Sequence, residues 1–380
     1  MTVTIDRARG CLLGQAVGDA LGAPVEDLSR DRILRYYGPV RDFLDGVQSR
    51  AGHLGRAHPA GLYTDDTQQA LVLADVLLDN RGFDPEAARR KYLELARPVA
   101  GLPRGAHRSL SGNFRAALER MGADYPTLQT GLPSAGNGAA MRVAPLGLYY
   151  AADPAGLREA VIQASLQTHT DARGISAAVS VAYLAGYLAT HEASAEEALA
   201  ALRSTIDYAR EAEVALSKDY GLPNAGGAPQ PPRFSGALLL LEPLWGAPAW
   251  EVLRTIVIGA NRLQPDHPVT SPSDRFAGAS VPTAIYLALH APSFEEAVLQ
   301  AVNLGGDADT VGAITGALAG ARWGASAIPS RWLEGLANRE GLIARADALV
   351  GGSKGTAACD SLIDVERRLS LAQQRAREAW

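Results

Sequence analysis

The chain has 380 residues, 47% of them hydrophobic and 20% charged, the balance of a globular protein with enough apolar material for one large domain or two. A formal net charge of -5 argues against a broad basic surface for nucleic acid. Two cysteines, Cys11 and Cys359, are too few for a disulfide framework or a Cys-rich zinc site.

The first segment, MTVTIDRARGCLLGQAVGDALG, sets charges ahead of an apolar run in the manner of a signal peptide, but Gln15 and Asp19 interrupt the run. The expectation is therefore a cytoplasmic protein with no membrane partner and a first helix over Asp6 to Leu21. Leu13, Val17 and Leu21 mark one stripe of that helix, and Gly10, Gly14, Gly18 and Gly22 form a second at four-residue spacing. Residues 29–60 show no clear period and are expected to be loop with one short helix at most. At LYTDDTQQALVLADVLLDNRG, Thr64 is a good N-cap, Asp65 and Asp66 fill the first turn, and Leu71, Ala74 and Leu78 supply an apolar face as far as Asn80 and Gly82. Capping accounts for one aspartate. Two adjacent carboxylates flanked by Thr64 and Thr67 repel each other unless a cation lies between them.

Asp84-Pro85 opens a helix to about Arg97, a loop runs from Pro98 to His107, and another helix spans about Ser111 to Met121. Gly136-Asn137-Gly138 reads as a tight turn before a short apolar helix. A dinucleotide fingerprint fits poorly there, because Met141 replaces the third glycine and no strand precedes it. Further helices are expected from Asp153-Pro154 to Gln167 and from Asp171 to Ala189, with His169 in the break between them. Ser194 and Glu197 form a capping box for a long helix to about Ser217. A Gly- and Pro-rich loop at 219–234, helices over Ala237–Leu244 and Pro248–Asn261, a Pro-rich loop to Ser273, and two short helices in SVPTAIYLALHAPSFEEAVLQAVN follow.

The stretch NLGGDADTVGAITGALAGARWG, Asn303 to Gly324, carries an acidic cluster at the head of a glycine-rich helix. Asp307, Asp309 and Thr310 offer three hard oxygens after the Gly305-Gly306 turn, a donor set suited to Mg²⁺, Mn²⁺ or Ca²⁺ rather than Zn²⁺. The helix dipole alone also stabilises acids in a first turn. An EF-hand loop fails because Leu318 stands where its last ligand belongs, and a membrane span fails because Asp307, Asp309 and Arg322 leave the apolar run too short. Gly312, Gly316, Gly320 and Gly324 repeat the spacing of the first helix. If the two smooth faces pack antiparallel, Asp19 and Glu26 lie beside Asp307.

Almost no period-two alternation occurs, so the fold class is all-α with short loops. One domain is expected over 1–350. Residues 351–380 are expected to form a linker and a C-terminal helix whose seam, Leu362, Val365, Leu369, Ala372 and Ala376, docks on the same chain.

Taken together, LLGQAVGDALGAPVE, YTDDTQQA, GNGAAMRVAPLG, THTDARG and NLGGDADTVGAITGALAGARWG stand in the order seen in the ADP-ribosylglycohydrolase family, and the chain resembles that family over about residues 8 to 345. Arg104-Gly105 and the SVPTAIY segment from Ser280 to Tyr286 look most similar to the ADP-ribosylhydrolase 3 branch, which acts on serine-linked ADP-ribose and poly(ADP-ribose); the dinitrogenase-reductase branch acts on arginine. Where the first branch has an aromatic residue before the GNG turn, this chain has Ala135.

The resemblance implies a compact orthogonal helical bundle with two Mg²⁺ ions, replaceable by Mn²⁺. The implied ligands are Thr64, Asp65 and Asp66 on one side and Asp307, Asp309 and Thr310 on the other. Glu26 is implied as the gating glutamate and proton carrier, with Asp65, Asp66 and Asp309 sharing the catalytic role. Ser134, Gly136, Asn137, Gly138 and His169 match positions that hold diphosphate and ribose. The implied activity is hydrolysis of an α-glycosidic bond at ADP-ribose, the partner being an ADP-ribosylated protein or a small ADP-ribose conjugate, with nucleic-acid-linked ADP-ribose also open. Two other readings stand beside it: an ADP-ribose-binding or structural protein of the same fold, and a Mg²⁺-dependent diphosphate enzyme of terpene-synthase type. The last needs a DDxxD motif, which fails at Gln69.

Overall fold

The computed structural model describes residues 2–45, 58–192, 194–222, 233–351 and 359–378. Its centre is the pair of glycine-striped helices. The first, Ile5–Gly22, is capped by Thr4, whose hydroxyl accepts from the Arg7 amide at 3.3 Å, and it is buried from Gly10 to Gly22. The second, Ala308–Trp323, runs antiparallel to it, so that Gly10 meets Gly320, Gly14 meets Gly316, Gly18 meets Gly312 and Gly22 meets Ala308. A Cβ placed on any of the four glycines of the first helix would come within 3.0 Å of a backbone atom of the second. The two backbones therefore touch directly. Each glycine costs about 0.8–1 kcal/mol of helix propensity relative to alanine, offset here by main-chain packing that no side chain permits.

This antiparallel contact places the end of the first helix against the start of the second. The chain leaves the first helix through the Ala23–Val25 3₁₀ turn and is stitched to the turn that opens the second: the Asp27 amide donates to Gly306 O at 2.8 Å and the Gly306 amide to Leu28 O at 2.7 Å. Gly305 and Gly306 have φ of +78° and +68°, and a Cβ on Gly305 would strike the Leu28–Arg30 backbone.

Helices Ala172–Thr190, Ala277–His290 and Phe294–Val302 pack around Ala308–Trp323, and Arg339–Gly351 packs on the first helix. Ala172–Thr190 is long and apolar enough to cross a membrane, but 83% of that window is buried inside the protein, as suits a core helix. A cavity of about 260 Å³ between Trp245, His290 and Trp323 lies at the end of Ala308–Trp323 away from the acids and takes no part in the site.

Among the described residues every regular element is helical, and only isolated β-bridges occur. The single short helix expected in 29–60 is Arg30–Tyr36; residues 46–57 of that span, 223–232 of the Gly- and Pro-rich loop and 352–355 of the linker lie outside the described residues. Three local expectations differ from the structure. Gly136 is extended, and Asn137–Arg142 forms a 3₁₀ helix rather than a tight turn. The first of the two helices expected from Ser280 onward begins earlier, at Ala277, so that Pro282 lies inside it. The Ala237–Leu244 helix is a short helix, Phe234–Leu239, and a separate 3₁₀ turn, Glu242–Leu244, since Pro243 has no amide to continue it.

The C-terminal helix, Leu362–Glu378, lies on the Asp65–Asn80 and Pro85–Ala96 helices of the same chain. Glu366 drives into the core, 2.7 Å from Arg108 Nη2, and accepts from Tyr63 Oη at 2.6 Å and Gln68 Nε2 at 2.8 Å.

Candidate metal centre

Asp65 and Asp66 are held at the head of the Asp65–Asn80 helix by a residue of the first glycine helix. Asp19, fully buried, accepts from the Thr64 amide at 2.9 Å through Oδ1, and from the Thr67 amide at 3.0 Å and hydroxyl at 2.6 Å through Oδ2. It thus caps the helix head from outside. Thr64 Oγ1 lies 3.3 Å from Asp66 Oδ2 and accepts from the Asp66 amide at 3.4 Å. Asp65 Oδ2 accepts from Gln69 Nε2 at 2.9 Å, Gln69 Oε1 from Arg142 Nη1 at 2.6 Å, and Arg142 Nη2 reaches Thr168 Oγ1 at 2.6 Å. Gln15 braces the same corner, donating to Met141 O at 2.8 Å.

Asp307, Asp309 and Thr310 sit at the head of Ala308–Trp323. Asp307 is anchored through its amide to Ser273 O at 2.8 Å, and its Oδ2 accepts from Asn137 Nδ2 at 2.6 Å. Asn137 also donates to Ser280 Oγ at 3.1 Å, tying the GNG segment to the neighbouring helix. Asp309 Oδ1 accepts from the Thr310 amide at 2.9 Å. Glu26, half-buried, joins them: one carboxylate oxygen each from Glu26, Asp307 and Asp309 lie within 4.8 Å of one another. Arg275 closes this side, with Nη2 2.5 Å from Glu26 Oε1 and Nη1 2.8 Å from Asp27 Oδ1.

The two acidic heads form one cluster. The negative charge of Asp307 acts on Asp66 across the gap, and that of Asp66 on Asp309. Burial first, and then neighbouring negative charge, that of Asp19 at Asp65 and Asp66 and that of Glu26 at Asp309, push the carboxyls of Asp65, Asp66 and Asp309 well above the usual range. Asp19 and Asp307 are pushed up to about 6 by burial, moderated by the hydrogen bonds from Thr67 and Asn137 respectively. Asp66 Oδ1 is buried without a hydrogen-bond partner among the described residues. Such an atom is costly unless a cation meets it. Buried carboxylates and threonine hydroxyls, all hard oxygens, fit Mg²⁺ or Mn²⁺.

The expected substrate wall stands beside the second head. Ser134 Oγ accepts from the Gly136 amide at 3.2 Å, and the Asn137 amide donates to Arg275 O at 3.0 Å. Gly138 lies close against buried His169: a Cβ there would press to 3.2 Å on the imidazole. His169 Nδ1 is 2.7 Å from Thr168 Oγ1, and burial, with the Arg142 charge second, lowers its pKa to about 3. Its ring is neutral and serves as a hydrogen-bonding group. Ala135 packs against the small cluster of Ala237, Leu263 and Phe276.

Sequence reasoning did not assign roles to Asp19, Gln69, Arg142 or Arg275. Asp19 carried a signal, a charge on an otherwise apolar helix. Arg275, in an aperiodic loop, carried none.

Residues 1–358 match the family model described as ADP-ribosylglycohydrolase. An uncharacterized protein of Archaeoglobus fulgidus is 33% identical over 88% of this chain and 93% of its own length. A solved structure titled "ADP-ribosylglycohydrolase-related protein complex" superposes with a TM-score of 0.62 at 34% identity, covering 91% of this chain and 98% of that one. The ADP-ribosylarginine hydrolase Tri1 of Pseudomonas putida is 28% identical, covering 88% of this chain and 75% of its own, and the ADP-ribosylhydrolase ARH3 of Bos taurus is 28% identical over 87% and 88%. Identity therefore does not single out the ADP-ribosylhydrolase 3 branch. The architecture, the acidic cluster and the length of the match agree: this chain belongs to the ADP-ribosylglycohydrolase family.

Proposed function

We propose that the protein is a metal-dependent ADP-ribosyl hydrolase that cleaves the α-glycosidic bond between ADP-ribose and an acceptor, either a serine or arginine side chain, poly(ADP-ribose) or a small conjugate. The observation that carries this reading is the meeting of two acidic helix heads around a buried Asp66 carboxylate oxygen that has no hydrogen-bond partner among the described residues. Thr64, Asp65, Asp66, Asp307, Asp309 and Thr310 would hold two divalent cations. Bound there, such ions supply polarisation and orientation of substrate oxygens.

The chain's own residues do the rest. Glu26, beside Asp307 and Asp309, takes the proton of the attacking water as the new bond to the anomeric carbon forms and the acceptor leaves with the old bond's electron pair. Asn137 fixes Asp307, and the Ser134 hydroxyl, which accepts from the Gly136 amide, can donate its own hydrogen to the diphosphate. His169, held uncharged, can bond a ribose hydroxyl without bringing a proton of its own into the reaction.

The test is release of ADP-ribose by Asp307→Ala and Asp65→Ala, each expected to fall by about 10²-fold or more, beyond what loss of a supporting residue causes. Full activity in either variant, or after complete chelation, counts decisively against the reading. A panel of serine-, arginine- and nucleic-acid-linked ADP-ribose, with poly(ADP-ribose) and O-acetyl-ADP-ribose, identifies the linkage. ADP-ribose that binds with Mg²⁺ while every conjugate stays intact would mark a binding protein of the same fold.

A further inference from the structure

Arg275 has no part in the reaction just described, yet it is the guanidinium that meets the acidic cluster directly. It comes from the loop between helices Ala249–Leu263 and Ala277–His290. Its fork spans Glu26 Oε1 at 2.5 Å, Asp27 Oδ1 at 2.8 Å and Asp307 Oδ1 at 3.6 Å. The backbone beneath it is fixed, since Arg275 O accepts from the Asn137 amide at 3.0 Å and the Ala277 amide donates to Ala135 O at 3.0 Å. The side chain is 56% exposed, whereas those of Glu26 and Asp307 are 10% and 5% exposed. A cation thus leans in from solvent onto two carboxylates that are themselves withdrawn from it, Asp27 alone of the three staying 38% exposed.

Two of those three carboxylates also belong to the trio whose oxygens lie within 4.8 Å of one another. A divalent cation seated on Asp307 and Asp309 and the Arg275 guanidinium would share anionic partners and repel each other. We propose that Arg275 is a built-in counter-ion of this site, competing with the divalent cation for Glu26 and Asp307 and thereby setting how tightly this chain holds its metal. The inference rests on the metal-site reading under Proposed function. Because arginine stays charged at every working pH, the competition depends on ionic strength and not on the protonation of Arg275 itself.

The experiment is calorimetric titration of Mg²⁺, and separately Mn²⁺, into the chelator-stripped full chain at low salt, comparing wild type, Arg275→Gln and Arg275→Lys. Arg275→Gln is expected to bind either metal about three- to tenfold more tightly, with the gain shrinking as salt is added. Arg275→Lys keeps the charge and is expected to stay near wild type. Melting temperatures supply the second readout: Arg275→Gln should be less stable than wild type without metal and recover with it. Equal or weaker metal binding in Arg275→Gln overturns the inference alone, as does an equal loss of stability with and without metal, which marks a merely structural loop anchor. No heat with either metal in wild type overturns the metal-site reading and this inference with it.

Discussion

Asp66 shows in one side chain what the site lacks and what it attracts. Its Oδ2 faces Thr64, while Oδ1 is buried without a partner among the described residues, a cost of about 1–3 kcal/mol or more for a group that can ionise. Around it, carboxyls with raised pKa values make the metal-free protein bind protons that its unfolded chain would release. For Asp19 and Asp307, with pKa moved from 3.8 to about 6, the associated stability is complete below pH 3.8 and is lost as the pH rises through about 6. His169 and His107 oppose this, since their lowered pKa values, about 3 and about 4, cost stability as the pH falls below 6.5. The two trends overlap, so the melting temperature of the metal-free protein alone is a poor probe. The informative quantity is the rise in melting temperature on adding Mg²⁺, from which the histidines cancel. It is expected to be large at pH 7.5 and to shrink towards zero near pH 5, where protons replace the metal at Asp307. A rise independent of pH over that range would place the metal elsewhere. The acids themselves were legible from sequence because each opens a helix behind a recognisable cap or turn. Asp19 was harder to assign, because a residue within a helix does not announce that its oxygens cap a different helix.

Between the two glycine helices, alanine is the better helix former by about 0.8–1 kcal/mol, yet at Gly18 its methyl group would collide with the Gly312 carbonyl. Overpacking of this kind costs about 1–3 kcal/mol, and here the obstruction is backbone, which cannot rotate away. Gly18→Ala is therefore expected to lower the unfolding free energy measured in urea. Gly236→Ala, where a Cβ meets nothing within 4 Å on an exposed helical turn, is expected to leave it unchanged or raise it slightly. Equal effects at the two positions would show that the helices are not in backbone contact. The four-residue glycine period made this pairing readable in advance; its antiparallel direction, only a condition in the sequence, comes from the structure. The 3₁₀ path of Asn137–Arg142 was not readable, because it follows from tertiary anchors, Asn137 to Asp307 and Gln15 to Met141 O, that leave no local pattern.

Across the whole molecule, the C-terminal helix acts as a buckle on the segment that carries Thr64 to Asp66. Glu366 and Arg108 are both buried, and Tyr63 and Gln68 on either side of the acidic pair bind the same carboxylate. Removing one charge strands the other in the core, so Glu366→Gln is expected to cost about 3–5 kcal/mol in a denaturant titration; a loss under about 1 kcal/mol would mean that the pair is solvated. Of the seam expected for this helix, Leu362 and Val365 are buried but Ala372 is exposed; the docked face continues instead through Glu366, Ser370 and Gln373, and the partners of Glu366 lie some 260 to 300 positions away, where only the fold brings them together. One consequence of the glycine contact concerns residue count. An inserted residue turns a helix by about 100°, so one extra residue between Gly10 and Asp19 would swing Asp19 away from Thr67 and take the remaining glycines off the contact line. An added residue in a loop, such as the one that carries Arg275, would leave this spacing unchanged. The centre can be surrounded by different side chains, but it cannot be re-spaced.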